Sequence, residues 1–218
     1  MARAVRWYES VDRKGTNVKT ITQEQFVSLD LYPYERNPRV KRWIEQRMKV
    51  APRRTRWSAL DILALEDVYI WHRLISALSK ELIEEPMLHE FACRCAENFL
   101  GSIENPDPLG VRIIKLKRRW MAGESTDKEL EDARIEALKK TSALAVTSIL
   151  NYRSCFFQEA STESDQAMSL FIPRAASYLD AQRAARRAAF VAGYYMCREH
   201  EFERQAEDLK GMLEAIAQ

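Results

Sequence analysis

Between Pro86 and Ser161 the chain is divided by closely spaced helix starts and stops, and this punctuation limits the fold more than any other stretch. Pro86 suits the first turn of a helix, where its missing N–H has no partner to lose and its φ is already helical. Gly101 is read as the end of that helix, and Asn105-Pro106-Asp107-Pro108 as a turn. A basic helix over Leu109–Ala122 then runs to Gly123. Thr126 starts a third helix at Asp127 that keeps one face apolar for about 30 residues, a length of roughly 45 Å. That face carries Leu130, Ala133, Ala137, Thr141, Leu144, Ala145, Ile149, Tyr152 and Cys155.

The rest of the chain has the same character. Its 218 residues include only 6 Gly and 7 Pro, and the prolines fall at apparent helix boundaries. The expected fold is mainly α, a multi-helix bundle of about seven helices with a small N-terminal β-hairpin. The hairpin would pair Ala4–Ser10 with Asn17–Ile21 around the polar turn Asp12–Gly15. Thr22-x-x-Gln25 is a capping box for a helix over 23–31, and Asn37-Pro38 opens another that runs to Val50. Ser58-x-x-Asp61 begins a helix expected to last to Lys80, apolar on most sides, with Trp71 and Leu74 deepest. A short helical piece should stop at Pro173. One stretch then covers Arg174–Ala217, kinked or split at Gly193 or within Arg198–Glu203. Its alanines let neighbouring axes approach closely.

Charge separates the two ends. Residues 1–57 hold 14 Lys and Arg against 6 Asp and Glu, and the remainder holds 20 against 26. The expected organisation is therefore a basic N-terminal region over 1–57 and a helical bundle domain over 58–218. The candidate binding residues in the basic region are Arg36, Arg39, Lys41, Arg42, Arg47, Lys49, Arg53, Arg54 and Arg56, with Trp43 and Trp57 interleaved. Such a set can grip phosphates and stack on bases, or meet an acidic protein. Lys115, Lys117, Arg118 and Arg119 would extend the basic surface on the bundle.

Signals for catalysis are sparse. His89 and Cys93 stand four apart on one helix face, and Cys197-x-x-His200 repeats a Cys/His pair in the last helix. These four are the candidate metal ligands, since a zinc site needs three or four. The sequence has no Gly-rich phosphate loop, nucleophile elbow or paired Glu-x-x-His. No cofactor and no enzymatic activity are expected. The cysteines Cys93, Cys95, Cys155 and Cys197 are read as reduced, mostly buried residues. With neither an apolar leader nor an apolar run of about 18 residues, a soluble cytoplasmic protein is expected.

Several segments share one further pattern: Glu90-Phe91-Ala92-Cys93-Arg94-Cys95-Ala96-Glu97, the Asn105–Pro108 turn, Arg118-Arg119-Trp120-Met121-Ala122-Gly123-Glu124 and Leu130-Glu131-Asp132-Ala133-Arg134. Together with Arg183–Ala189 and Glu203-Arg204-Gln205, they resemble a helical immunity-protein-like family of bacterial genomes and prophages. The resemblance covers about half the chain and leaves out residues 1–57. It implies an α-helical protein that binds and blocks another protein, with no catalytic motif to carry over. A non-enzymatic inhibitor, phage- or prophage-encoded and of the immunity or anti-defence (anti-CRISPR-like) kind, is the leading expectation. Its partner would be a bacterial toxin or defence component. A nucleic-acid-binding protein using Arg36–Trp57 is the alternative, and a metal-dependent helical enzyme the third reading.

Overall fold

A computed structural model describes residues 19–22, 24–25, 55–66, 68–152, 162–196 and 199–217. Among them are a two-stranded ribbon, β1 (Thr20–Ile21) and β2 (Trp57–Ser58), and eight helices. These are α1 (Ala59–Leu63), α2 (Ile70–Ala77), α3 (Glu85–Ser102), α4 (Pro108–Met121), α5 (Asp127–Tyr152), α6 (Thr162–Ala176), α7 (Ala181–Tyr195) and α8 (Glu199–Ala217). The fold is mainly α, and no described helix is long and apolar enough to cross a membrane.

The central punctuation holds. Pro86 lies in the first turn of α3, although that helix passes through Gly101 and ends at Ser102. The Asp107 carboxylate caps α4 by accepting the Leu109 N–H at 2.9 Å. Asp107 also meets Lys140 of α5 at 2.5 Å, and its own N–H donates to Ser169 Oγ of α6 at 2.9 Å. One turn residue thus joins three helices. Gly123 follows α4 at φ 72°, a backbone conformation that glycine adopts without steric penalty. Thr126 and Glu129 then form a reciprocal cap, Thr126 N–H to Glu129 Oε2 at 2.7 Å and Glu129 N–H to Thr126 Oγ1 at 3.2 Å.

Three expectations change. The Ser58–Lys80 helix is two helices. The Ser58/Asp61 capping box forms, but α1 stops at Leu63, whose carbonyl accepts from Arg73 Nη1 at 2.7 Å. Folding back between α1 and α2 buries Ile62 and Leu63 together with Leu74, Ile75 and Leu78. A single straight helix apolar on most sides would leave part of that surface in water. Second, Pro173 does not end a helix. It sits inside α6, which runs on to Ala176, and its carbonyl accepts the Ser177 N–H at 3.0 Å. Third, the stretch from Arg174 is broken twice. Asp180 caps α7 by accepting the Arg183 N–H at 2.6 Å, and α7 ends at Tyr195 before α8 begins at Glu199.

The expected small antiparallel ribbon is present at the N-terminal side, with β1 inside the expected 17–21 strand. Its described partner is Trp57–Ser58, with Thr20 opposite Ser58 and Ile21 opposite Trp57. The ribbon therefore straddles the expected boundary between residues 57 and 58. Ile21 and Trp57 are both buried. Lys19 reaches the bundle, pairing with Glu84 at 2.9 Å and donating to the Lys80 carbonyl at 3.2 Å. The Thr22/Gln25 box also forms. The Ala4–Ser10 strand and the Asn37–Val50 helix lie outside the described residues, as does most of the 23–31 helix.

The core forms where α3 packs on α7, flanked by α4 and α6. Ala184, Ala185, Ala188, Ala189 and Ala192 are all buried, so α7 can approach its neighbours closely. Two glycines show how close the packing is. A Cβ at Gly110 of α4 would stand 2.0 Å from the Ser169 carbonyl oxygen of α6, and one at Gly193 would stand 2.0 Å from the Phe202 ring.

Candidate functional site

Most of the basic N-terminal candidates lie outside the described residues: Arg36, Arg39, Lys41, Arg42, Arg47, Lys49, Arg53 and Arg54. So does Cys197. Arg56 is described and acts as a clamp on the ribbon. Its Nε donates to Thr20 Oγ1 at 2.6 Å and its Nη2 to the Thr20 carbonyl at 2.7 Å.

The four candidate cations on α4, Lys115, Lys117, Arg118 and Arg119, do not form one surface. Successive helical residues turn by about 100°, so Lys115 and Arg119 share a face while Lys117 points away from it. Lys115 and Arg119 are exposed, and Arg119 Nη2 donates to the Glu124 carbonyl at 3.1 Å. Lys117 is fully buried. Its Nζ donates to the Tyr178 carbonyl at 2.9 Å and lies 3.7 Å from the Trp120 ring centroid. Burial lowers its pKa to about 8. Arg118 is partly buried. It donates to Glu97 through Nε at 2.9 Å and Nη2 at 2.8 Å, and to Glu90 through Nη1. Burial opposes its charge, but the hydrogen bonds to Glu97 and Glu90 outweigh that and hold its pKa above the ordinary value. Lys117 and Arg118 are therefore packing elements and not part of an open basic surface.

His89 and Cys93 belong to the same interior. His89 meets the Trp120 ring edge-on at 5.0 Å between centroids, and its Nδ1 is buried without a hydrogen-bond partner. Burial, then the Lys117 charge, lowers its pKa to about 4. Burial pushes the Cys93 thiol up to about 12 and raises that of Cys95 as well. Cys93 Sγ rests 3.9 Å from Met121 Sδ. A neutral thiol of this kind is a poor nucleophile and a poor metal ligand at neutral pH. His200 lies apart, exposed, 3.6 Å from Glu203. Among the described residues, no three of His, Cys, Asp and Glu gather where they could hold a metal ion.

A different group stands out where α5, α6 and α7 meet. The Tyr178 ring meets two guanidinium groups, Arg183 at 4.2 Å and Arg134 at 5.2 Å from its centroid. Glu131 binds Arg134 through both of its oxygens. Arg174 of α6 lies 4.7 Å over Phe171, and its Nη1 reaches Thr141 Oγ1 of α5 at 3.4 Å. Burial lowers the Arg174 pKa. Tyr178 works the other way, and the charges of Arg134 and Arg187 add to the lowering. Among the described residues no carboxylate pairs with Arg174 or with Arg183. Leu138, one turn from both Arg134 and Thr141, is 43% exposed, and Leu179 is 41% exposed.

This group was not among the residues singled out from sequence. The Arg183–Ala189 stretch signals only helix packing, and Arg186 does turn inward, donating from Nε to the Leu78 carbonyl at 2.7 Å. Arg183 and Arg187 stand four apart on another side of α7, and the sequence does not show that α6 brings Arg174 to them. The spacing of Arg183 and Arg187 was the one available signal. No protein-family model matches the chain, and no curated protein or solved structure matches it.

Proposed function

We propose that the protein is a non-enzymatic, protein-binding inhibitor of the immunity or anti-defence kind, working in the cytoplasm by covering a surface of a bacterial partner. The observation that carries this reading is the face around Tyr178. Arg134 and Arg183 meet the Tyr178 ring, exposed Leu138 stands one turn from Arg134 on α5, and exposed Leu179 follows Tyr178 in the chain. Apolar anchors among arginine and tyrosine are the composition that interface centres favour over the remaining surface. The resemblance of the α3–α5 segment to immunity-like helical proteins supports the same reading. Capture from nuclease-treated bacterial lysate tests it, comparing the wild type with Leu138→Glu combined with Leu179→Glu. The expected result is a stoichiometric protein partner retained by the wild type and lost by the variant. No partner, equal capture by both baits, or capture that disappears with nuclease would each count against the reading.

A further inference from the structure

Helix α5 buries one side and turns the opposite side to solvent. Leu130, Ala133, Ala137 and Thr141 are buried where α5 packs on α4 and α6. At about 100° per residue, Ile135 lies opposite the Ala133 and Ala137 pair. It is a large apolar residue, yet it is 36% exposed. Lys128, Asp132 and Lys139 fall within about 60° of it around the helix. All three are exposed. The spacing of 128, 132, 135 and 139, four then three then four, is that of a seam between two packed helices.

The charges of α5 divide into two sets. Asp127, Glu129, Glu131, Arg134, Glu136 and Lys140 each meet a partner within the chain. Among the described residues, no partner meets Lys128, Asp132 or Lys139. Asp132 and Lys139 stand on one stripe with Ile135 between them. They are about 10 Å apart along the axis, too far to pair with each other.

We infer that this stripe is where a second copy of the chain docks, α5 against α5, antiparallel about a two-fold axis near Ile135. The charges select both the occupant and the direction. An isologous contact puts the same patch on both sides, so the patch must be complementary to itself. In the antiparallel pair, Asp132 of each copy meets Lys139 of the other, and Ile135 packs on its counterpart between the two ion pairs. Parallel helices would set Asp132 on Asp132 and Lys139 on Lys139, and facing like charges oppose association. Lys128 falls at the end of the seam, where its ammonium stays in water. Exposed ion pairs are weak and the seam is short, so the dissociation constant should be about 0.1 mM.

The dimer goes beyond the protein-binding reading. Leu138, about 60° round α5 from Ile135, stands at the edge of the seam, and the charge swaps that test the dimer leave Leu138 and Leu179 in place. The assay holds no other protein, so failure of either reading leaves the other standing. The test is sedimentation equilibrium of the full chain from about 10 µM to 1 mM. The wild-type weight-average mass should climb with concentration towards twice the monomer mass. Asp132→Lys and Lys139→Asp should each raise the dissociation constant about ten-fold, because both ion pairs become like-charge contacts. An equimolar mixture of the two variants should recover wild-type association, as should the double swap within one chain. Recovery also shows that each variant is folded. Ile135→Glu should remain monomeric throughout the range. A wild-type chain that stays monomeric, association that neither single swap weakens, or swaps that the mixture fails to rescue would overturn the proposal.

Discussion

Tyr178 belongs to two groups of cations that the fold treats differently. Its backbone carbonyl accepts the Lys117 ammonium in the interior, beside Arg118 with its two glutamates. Its ring meets Arg134 and Arg183, near Arg174, which reaches a hydroxyl and a phenyl face. The inner group is closed: its donors meet carbonyl, carboxylate and aromatic partners within the chain. The outer group is mixed: Glu131 holds Arg134, while no carboxylate pairs with Arg174 or Arg183 among the described residues. Lys117 is fully buried and Arg183 exposed, but Arg118 and Arg174 are both partly buried, and between those two the difference lies in where acids stand. Glu90 and Glu97 sit on α3 directly across from Arg118, whereas no described acid faces Arg174. A cation that merely stabilises the fold is expected to look like Arg118. One kept for a ligand is expected to look like Arg174.

The difference can be tested from several sides. Gly110→Ala should have the largest effect, because the new methyl would meet the Ser169 backbone and push α4 from α6, disturbing both groups at once. A loss of about 3 kcal/mol in urea unfolding is expected. The closed group should also reject further charge. The folded-state pKa of His89 is lowered to about 4 against an ordinary 6.5, so between these values the unfolded chain binds the proton and the folded one does not. Stability is complete above pH 6.5 and should fall as the pH drops towards 4, by about 3 kcal/mol from this residue. His89→Leu should flatten that part of the stability–pH profile. Lys117 shifts in the same sense at alkaline pH. Its folded-state pKa of about 8 lies below the ordinary 10.5, so wild-type stability should climb across that window and Lys117→Met should remove the climb. The smallest effect belongs to the outer group: Arg183→Gln should change stability by less than about 0.5 kcal/mol.

The parts of the fold that were legible in the sequence are those with local causes. The turn before α4, the Gly123 stop and the helix start at Thr126 each act within a few residues and stand where the residues indicated, and the structure adds Asp107 as the cap of α4 and Glu129 as the partner of Thr126. Where tertiary contacts decide, the sequence misled. Apolar periodicity ran unbroken through residues 59–80, and only the Arg73 contact with the Leu63 carbonyl shows why the helix folds back. Pro173 looked like a stop, yet α6 continues past it because α4, α5 and α7 hold it in place. The candidate site was harder still. A run such as Lys115–Arg119 is conspicuous in sequence, but helical geometry divides it between solvent and core, and α3 supplies acids to part of it. Arg134, Arg174 and Arg183 are scattered over some fifty positions. Only packing of three helices brings them to Tyr178, and no local pattern encodes that.

The central claim is that Arg118 is consumed by the fold and Arg174 is not. Urea unfolding of Arg118→Gln beside Arg174→Gln at neutral pH tests it most directly. Arg118→Gln strands Glu97, leaves Glu90 with Arg94 alone, and should cost about 2 kcal/mol, the penalty for breaking a partly buried pair. Arg174→Gln removes an uncompensated charge and should leave stability within about 0.5 kcal/mol of wild type or raise it. A loss at Arg174 equal to that at Arg118 would contradict the account, because it would make Arg174 another structural cation.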